Sequence, residues 1–343
     1  MLRHVPIHLL LIALALSLGI LSLASITVGP MSISFRDSLY SLLFRSDDIA
    51  THINLVIHQI RLPRTLLCLL VGAILALCGV VMQGLFRNPL AEPGIIGVSA
   101  GASLGAALAI VLLASFELNA TWMNMFTLPL CAFIGGVVTT LLVYRLGTSQ
   151  LGTSVTIMLL AGVAISALSG AGIGYLNFLA DDQMLRDLTL WSMGSFAGAN
   201  WPQIYLCLFA LGILAYCFHR RSMALNALLL GESEARHLGI GTQQLKRALI
   251  ILCAAGVGIT VSVAGMIGFV GLVVPHLGRM LVGPDHRYLL PVSALLGALL
   301  LTCADMFARV AVAPSELPIG IVTALVGAPF FLYLLFKQKG KLF

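Results

Sequence analysis

HRRSMALNALLLGESEARHLGIGTQQLKR, residues 219–247, is the longest stretch of this chain without an apolar window able to cross a bilayer. It carries Arg220, Arg221, Arg236, Lys246 and Arg247, from a total of 19 Lys and Arg. Apolar segments of spanning length flank it on both sides. Inside it, Leu225, Leu228, Leu229 and Leu230 lead into Gly231. Glu232, Ala235 and Leu238 then recur at helical spacing until Gly239 stops the pattern. The spacing predicts two short helices, over about 222–241, joined by a glycine elbow. A structured loop of this kind either rests on lipid headgroups or receives another subunit. The local pattern leaves both open.

Composition decides the class. Hydrophobic residues make up 59% of 343, and charged residues only 9%. A soluble domain carries about 25% charged residues. No segment alternates as a barrel strand would. The chain therefore reads as one all-α polytopic membrane domain, residues 1–343, built from spans of about 20 residues. The 34 glycines suit close helix contacts. The seven cysteines lie in or beside apolar windows without CxxC spacing, so they read as packing residues.

About ten spans follow in order. Ile7 to Val28, after Arg3 and His4, is longer than a signal-peptide core and lacks a clear small-x-small cleavage site. It is read as the first span. SFRDSLYSLLF, residues 34–44, has an N-cap candidate in Ser34 and reads as an interfacial helix. Arg61-Leu62-Pro63-Arg64 opens the second span, with Pro63 in a first turn where its missing N–H costs nothing. That span runs to about Leu85. FRNPLAEPG, residues 86–94, is a turn. The third to sixth spans are about Ile95–Leu113, Met123–Leu146, Val155–Phe178 and Pro202–Phe218. A polar link, Gly147 to Thr153, joins the fourth and fifth. Leu185, Leu188, Trp191 and Phe196 predict a short helix within Asp181–Trp201. Loop helices are thus expected at about 34–46 and 181–197. The last four spans are about Ala248–Ala264, Ile267–Leu281, Tyr288–Phe307 and Ile319–Phe336.

Ten spans put both termini on one side, and loop charge selects the side. With the N-terminus inside, the inner loops hold Arg3, Arg87, Arg145, the five basic residues of 219–247, Arg279, Arg287, Lys337, Lys339 and Lys341. The outside holds only Arg36, Arg45, Arg61, Arg64, Arg186 and Arg309. Most acids lie outside, with Glu92, Glu232, Glu234 and Asp285 inside. This asymmetry predicts N-in and C-in.

No phosphate loop, HExxH motif or nucleophile elbow occurs. If transport is ATP-driven, hydrolysis belongs to a separate subunit that must grip the cytoplasmic face. A proton-coupled carrier would instead need ionisable groups at mid-membrane. Asp305 is the one acid placed within a span, and Arg309 stands four residues on, close enough to pair with it.

RLPR, FRNPLAEPGIIGVSAGAS, LRDLTLWSMGSF, GFVGLVVPHLGR and SELPIGIVTALVGAPFF stand in register along the chain. Together they resemble the permease subunits of bacterial ABC importers for cobalamin, ferric siderophores and heme. The resemblance covers essentially the whole chain, and heme permeases are the nearest subgroup. It implies a multi-pass inner-membrane protein of ten helices per subunit that works as a homodimer. It further implies two ABC ATPase subunits below, which use ATP and Mg, and a periplasmic substrate-binding protein above. No cofactor bound by this chain, no catalytic residue and no nucleic-acid partner is implied.

The resemblance also assigns residues. Leu225, Leu228, Glu232, Ala235, Leu238 and Gly239 match the coupling helices seated on the ATPase. Arg61, Arg64 and Arg309 match periplasmic arginines that receive acids of the binding protein, a task that suits a planar guanidinium. Their alternative is to anchor helix ends at headgroups. Asn88, Leu90, Thr148 and Ser149 match the loops closing the cytoplasmic end, though Asn-Pro and Thr-Ser are also common turn formers. Arg186, Trp191 and Met193 would line the translocation path. Arg186 could meet an anionic cargo group or pair with Asp182 or Asp187. Heme is the expected cargo. Ferric siderophore or cobalamin is the alternative within the family, and a proton-coupled secondary carrier is the alternative outside it.

Overall fold

One 35-residue helix, Thr51–Leu85, forms the axis on which the other elements pack. A computed structural model describes residues 6–29, 31, 33–43, 51–113, 127–149 and 152–339. In chain order the helices are α1 (Ile7–Thr27), α2 (Phe35–Leu43), α3 (Thr51–Leu85) and α4 (Val98–Leu113). Next come α5 (Leu128–Leu146), α6 (Val155–Leu179), α7 (Asp182–Ser192) and α8 (Trp201–Arg220). The opening stretch gives α9 (Ser222–Leu230) and α10 (Glu232–His237). Then follow α11 (Thr242–Ala264), α12 (Val270–Val282), α13 (His286–Val310) and α14 (Ile319–Lys339). A two-residue hairpin, β1 (Thr148–Ser149) with β2 (Gly152–Thr153), joins α5 to α6.

Helices α1, α3, α5, α6, α8, α11 and α13 are long and apolar enough to cross a membrane. Three shorter apolar helices, Val98–Leu113, Val270–Val282 and Ile319–Leu334, complete the ten expected segments. The expected start of the fourth span at Met123 and the last residues of the 34–46 loop helix lie outside the described residues. Ser34 caps α2 as its position suggested, its Oγ accepting from Asp37 N at 3.1 Å.

Two boundaries differ from expectation. The second span starts at Thr51, not at Arg61. Ile53, Val56 and Ile57 pack with Ile26 and Ile33, so the lead-in is apolar enough to remain helical. Ile57–Arg61 is a π-helical turn, in which Leu62 N–H reaches back to Ile57 O. Pro63 therefore sits inside a continuous helix, and the wide turn before it absorbs the hydrogen bond that proline cannot make. The seventh span starts at Thr242, not Ala248, which places Gln243 and Lys246 on its first turns.

Small residues set the core. A Cβ on Gly72 of α3 would stand 2.3 Å from Gly297 O of α13, and the reverse distance is the same. The two backbones meet where no side chain fits. α3 is buried over most of its apolar length, whereas α1 and α6 lie at the periphery. α1 packs chiefly on α13.

Candidate functional site

The elbow between α9 and α10 forms as the spacing predicts. Gly231 adopts φ +131°, a conformation that L side chains rarely take. The faces of the two helices are less obvious from sequence. Leu225, Leu228 and Ala235 are buried against the bundle. Glu232 is also engaged within the chain, where Lys246 Nζ donates to its Oε1. Leu225, Leu228 and Ala235, expected on the coupling helices, thus hold that pair to the bundle, while the Glu232 side chain stays 34% exposed. The outward apolar side chains are Met223, Leu229, Leu230 and Leu238, with Leu230 70% exposed. Gly239 ends α10 at φ +79° with open space around it. Leu238 is thus the expected coupling side chain that does face out.

The β1–β2 link stands beside this pair. Thr148 Oγ1 and Thr153 Oγ1 lie 3.2 Å apart, closing the hairpin. Gln243 Oε1 accepts from Thr153 N at 3.0 Å, and Lys246 Nζ donates to Thr153 O at 3.2 Å. Ser149 is exposed. In the neighbouring turn, Asn88 Oδ1 accepts from Leu90 N at 2.9 Å, an Asx turn that fixes the loop after α3. Asn88 is exposed and Leu90 half-buried. Glu92 Oε1 accepts from Phe269 N at 3.1 Å, which ties this turn to the start of α12. Burial pushes the Glu92 carboxyl above its ordinary range, against the pull of that N–H.

A polar bracket at the same end holds α9 to α13. Asn226 Nδ2 donates to Asp285 Oδ1 at 2.7 Å, and Asn226 Oδ1 accepts from His286 N at 2.9 Å. The Arg287 guanidinium, with its backbone N–H and Asn226, holds the Asp285 carboxyl well below the usual carboxylate range, against a smaller effect of burial.

At the opposite end, the three arginines are not free at the surface. Arg61 and Arg64 are each 4% exposed and Arg309 is 2% exposed. Arg61 donates to the carbonyls of Ile26, Thr27 and Met31. Arg64 grips Asp305 and reaches Glu316 Oε2 at 2.7 Å. Arg309 pairs with Asp305 Oδ2 at 2.9 Å and donates to Ser25 O at 3.0 Å. The guanidinium groups expected to receive acids of a binding protein are thus all engaged within the chain. The last carbonyls of α1 and two acids draw them inward.

Arg186 is exposed on α7, and among the described residues it makes no ion pair. Asp187 is engaged instead by Gln183 Nε2 at 3.1 Å. Trp191 and Met193 are half-buried in a strap joining the ends of two spans. Ser195 N donates to Ala264 O, Gly320 N to Met193 O, and Ile319 N to Gly194 O. α6 exposes Ile157, Leu160, Val163, Leu168 and Phe178 along its length.

Sequence reading missed Lys246, Glu316, the Glu92–Phe269 tie and the Asn226 bracket. For Lys246 one signal existed, its spacing of three from Gln243 on a helix that begins early. The others depend on pairings far apart in sequence.

A model of the FecCD transport family matches residues 15–337. The hemin transport system permease protein HmuU of Yersinia pestis is 45% identical over 97% of this chain and 96% of its own length. The vitamin B12 import system permease protein BtuC of Salmonella paratyphi A is 46% identical over 83% of this chain and 84% of its own. A solved structure described as an inward-facing conformation of a metal-chelate type ABC transporter superposes at TM-score 0.82. It is 35% identical, covering 97% of this chain and 100% of that one. A structure of PsaBC from Streptococcus pneumoniae with a Fab, 19% identical and at TM-score 0.56, shares the fold. Family model, full-length relatives and superposed fold agree, and the chain belongs to the FecCD transport family.

Proposed function

We propose that the chain is the membrane-spanning subunit of a bacterial ATP-driven importer. It passes heme, or another iron chelate, from a periplasmic binding protein to the cytoplasm. The observation that carries this reading is the 45% identity, over nearly the full length of both chains, to a hemin transport permease. It is a multi-pass protein of the inner membrane, N-in and C-in, with the basic α9–α10 end in the cytoplasm. Two copies pair through peripheral spans, for which the exposed apolar face of α6 is a candidate. Two ATPase subunits, hydrolysing Mg-ATP, seat on α9–α10 through Met223, Leu230 and Leu238. Asn88, Leu90, Thr148 and Ser149 stand at the cytoplasmic mouth. Arg186, Trp191 and Met193 stand at the outer mouth.

Arg61, Arg64 and Arg309 serve delivery indirectly in this reading, by fixing the loops on which the binding protein lands. Glu316, its side chain 35% exposed, is where an incoming acid could compete for Arg64. The likeness to BtuC supports a second reading, a cobalamin permease. A proton-coupled carrier is less well supported, because Asp305 is held by two guanidinium groups and is not available as a relay. The test is uptake into vesicles holding this chain with its ATPase and binding protein. Heme, a ferric siderophore and cobalamin are offered in turn. ATP-dependent, vanadate-sensitive accumulation of heme is expected. Accumulation of cobalamin or siderophore alone would reassign the cargo, and ATP-independent uptake would overturn the reading.

A further inference from the structure

Lys246 is a cation inside the protein, 1% exposed, at the second turn of α11. A buried ammonium is costly unless matched. This one has two partners on two different elements. Its Nζ donates to Glu232 Oε1 at the first residue of α10, and to Thr153 O at the end of β2. Gln243, one turn earlier on the same face of α11, accepts from Thr153 N at 3.0 Å. Both backbone groups of Thr153 are therefore held by α11, and its hydroxyl by Thr148. Ser154 follows directly and caps α6, its Oγ accepting from Ile157 N. Glu232 is differently placed. Its side chain is 34% exposed, and its second oxygen lies 3.7 Å from Arg236 Nη2.

We propose that Lys246 is a positioning residue that couples α10 to the β1–β2 link and, through Thr153, to the start of α6. The inference rests on the transport reading above, in which α10 meets the ATPase and the link stands at the cytoplasmic mouth. A buried pair that served stability alone could be replaced by apolar residues of similar volume at little cost. A directional bracket is different: the carboxylate of one moving part and the carbonyl of another share one ammonium. A shift of α10 carries Glu232, and Lys246 converts that shift into a pull on Thr153. Gln243 keeps the link from sliding along α11.

The experiment uses the complete complex in vesicles. Lys246→Met, the paired Glu232→Gln with Lys246→Met, and Lys246→Arg are compared with the unmodified chain. The readout is substrate taken up per ATP hydrolysed, together with ATPase retention on the permease. Both methionine variants should retain the ATPase and its hydrolysis, and lose at least about fivefold in uptake per ATP, the low end of coupling between sites. Lys246→Arg should recover most of it. The paired variant leaves no buried charge unmatched, so it keeps the test decisive if the single variant fails to assemble. Spin labels at Ser233 and Thr156 supply a second measurement. In the unmodified complex both should move on ATP binding, and in the paired variant only the Ser233 label should move. Parental uptake per ATP in the paired variant, or labels that still move together, would overturn the coupling role. Absence of ATP-driven uptake in the unmodified complex would instead overturn the transport reading itself.

Discussion

Arg64 and Asp305, 241 residues apart in sequence, meet through three hydrogen bonds: Oδ1 accepts from Nη2 at 2.8 Å and from Nε at 3.0 Å, and Oδ2 accepts from Nε at 3.2 Å. Arg309 Nε reaches Oδ2 as well, at 2.9 Å. Asp305 thus stands between two guanidinium groups and locks α3 to α13. Positive charge exceeds negative in this cluster. The excess faces the carbonyl end of α1, where Ser25, Ile26, Thr27 and Val28 offer oxygens that the helix itself leaves unpaired. Ser25 Oγ and Thr65 Oγ1, 2.8 Å apart, complete the seam between α1 and α3.

Asp305→Ala should therefore be strongly destabilising. It leaves two buried cations without their carboxylate, a change that costs about 3–5 kcal/mol. Thermal unfolding of the detergent-purified protein should show a large drop in midpoint or loss of the folded peak. An unchanged midpoint would mean that water reaches the two guanidinium groups in the folded protein.

Arg61→Glu with Arg64→Glu tests how delivery depends on this cluster. Both reversals place a carboxylate among carbonyls and acids. The double variant should be lost at assembly, before any binding protein is added, as read by size-exclusion profile. If it instead assembles normally and only binding-protein affinity falls, the guanidinium groups act at the outer surface after all.

Glu92 gives a pH prediction of defined sign. Its carboxyl is pushed up by burial, so ionisation is disfavoured in the folded protein. Its stabilising contribution is full below the ordinary value of 4.5 and is lost as pH rises through the raised value. Glu92→Gln keeps an oxygen for Phe269 N–H and removes that loss. The variant should unfold at a higher temperature than the parent at about pH 8, with the advantage vanishing at about pH 4. A variant less stable than the parent at pH 8 would contradict this.

The helices were legible because membrane spans announce themselves by length and apolarity alone. The glycine elbow at Gly231 was equally legible, since it needed only local chain chemistry. What was not legible was which way charged side chains turn. Arg309 and Asp305 could be paired by their spacing of four, but Arg64 joins them through a contact that no local pattern encodes. Lys246 looked like one more basic residue of a cytoplasmic loop, because its burial depends on α11 starting six residues before its apolar run. Leu225, Leu228 and Ala235 lie on the expected helix pair, on the side that packs against the bundle. A short helix with leucines on several sides does not say which side meets the bundle.

Topology has a direct check. In a background with native cysteines replaced, Ser192→Cys at the end of α7 should react with an impermeant maleimide added outside, and Ser233→Cys on α10 should not. Both positions are exposed, so access depends only on the side of the membrane. The reverse pattern would invert the orientation that loop charge supports.

The outward face of α9–α10 supplies the last prediction. Leu230 and Leu238 are 70% and 65% exposed, one at the elbow and the other at the end of α10. Burying a leucine against a partner is worth about 1.5–3 kcal/mol. Each 1.4 kcal/mol is a factor of about ten in affinity. Leu230→Asp with Leu238→Asp should therefore weaken ATPase association at least tenfold while leaving the unfolding midpoint of the permease nearly unchanged. Ala235→Trp acts on the opposite face, where the native residue is fully buried. It should lower the midpoint, because an indole cannot enter a packed site without displacing its neighbours. The contrast separates a docking face from a packing face. Equal loss of ATPase affinity in both, without loss of stability in either, would show that α10 turns its other side to the partner.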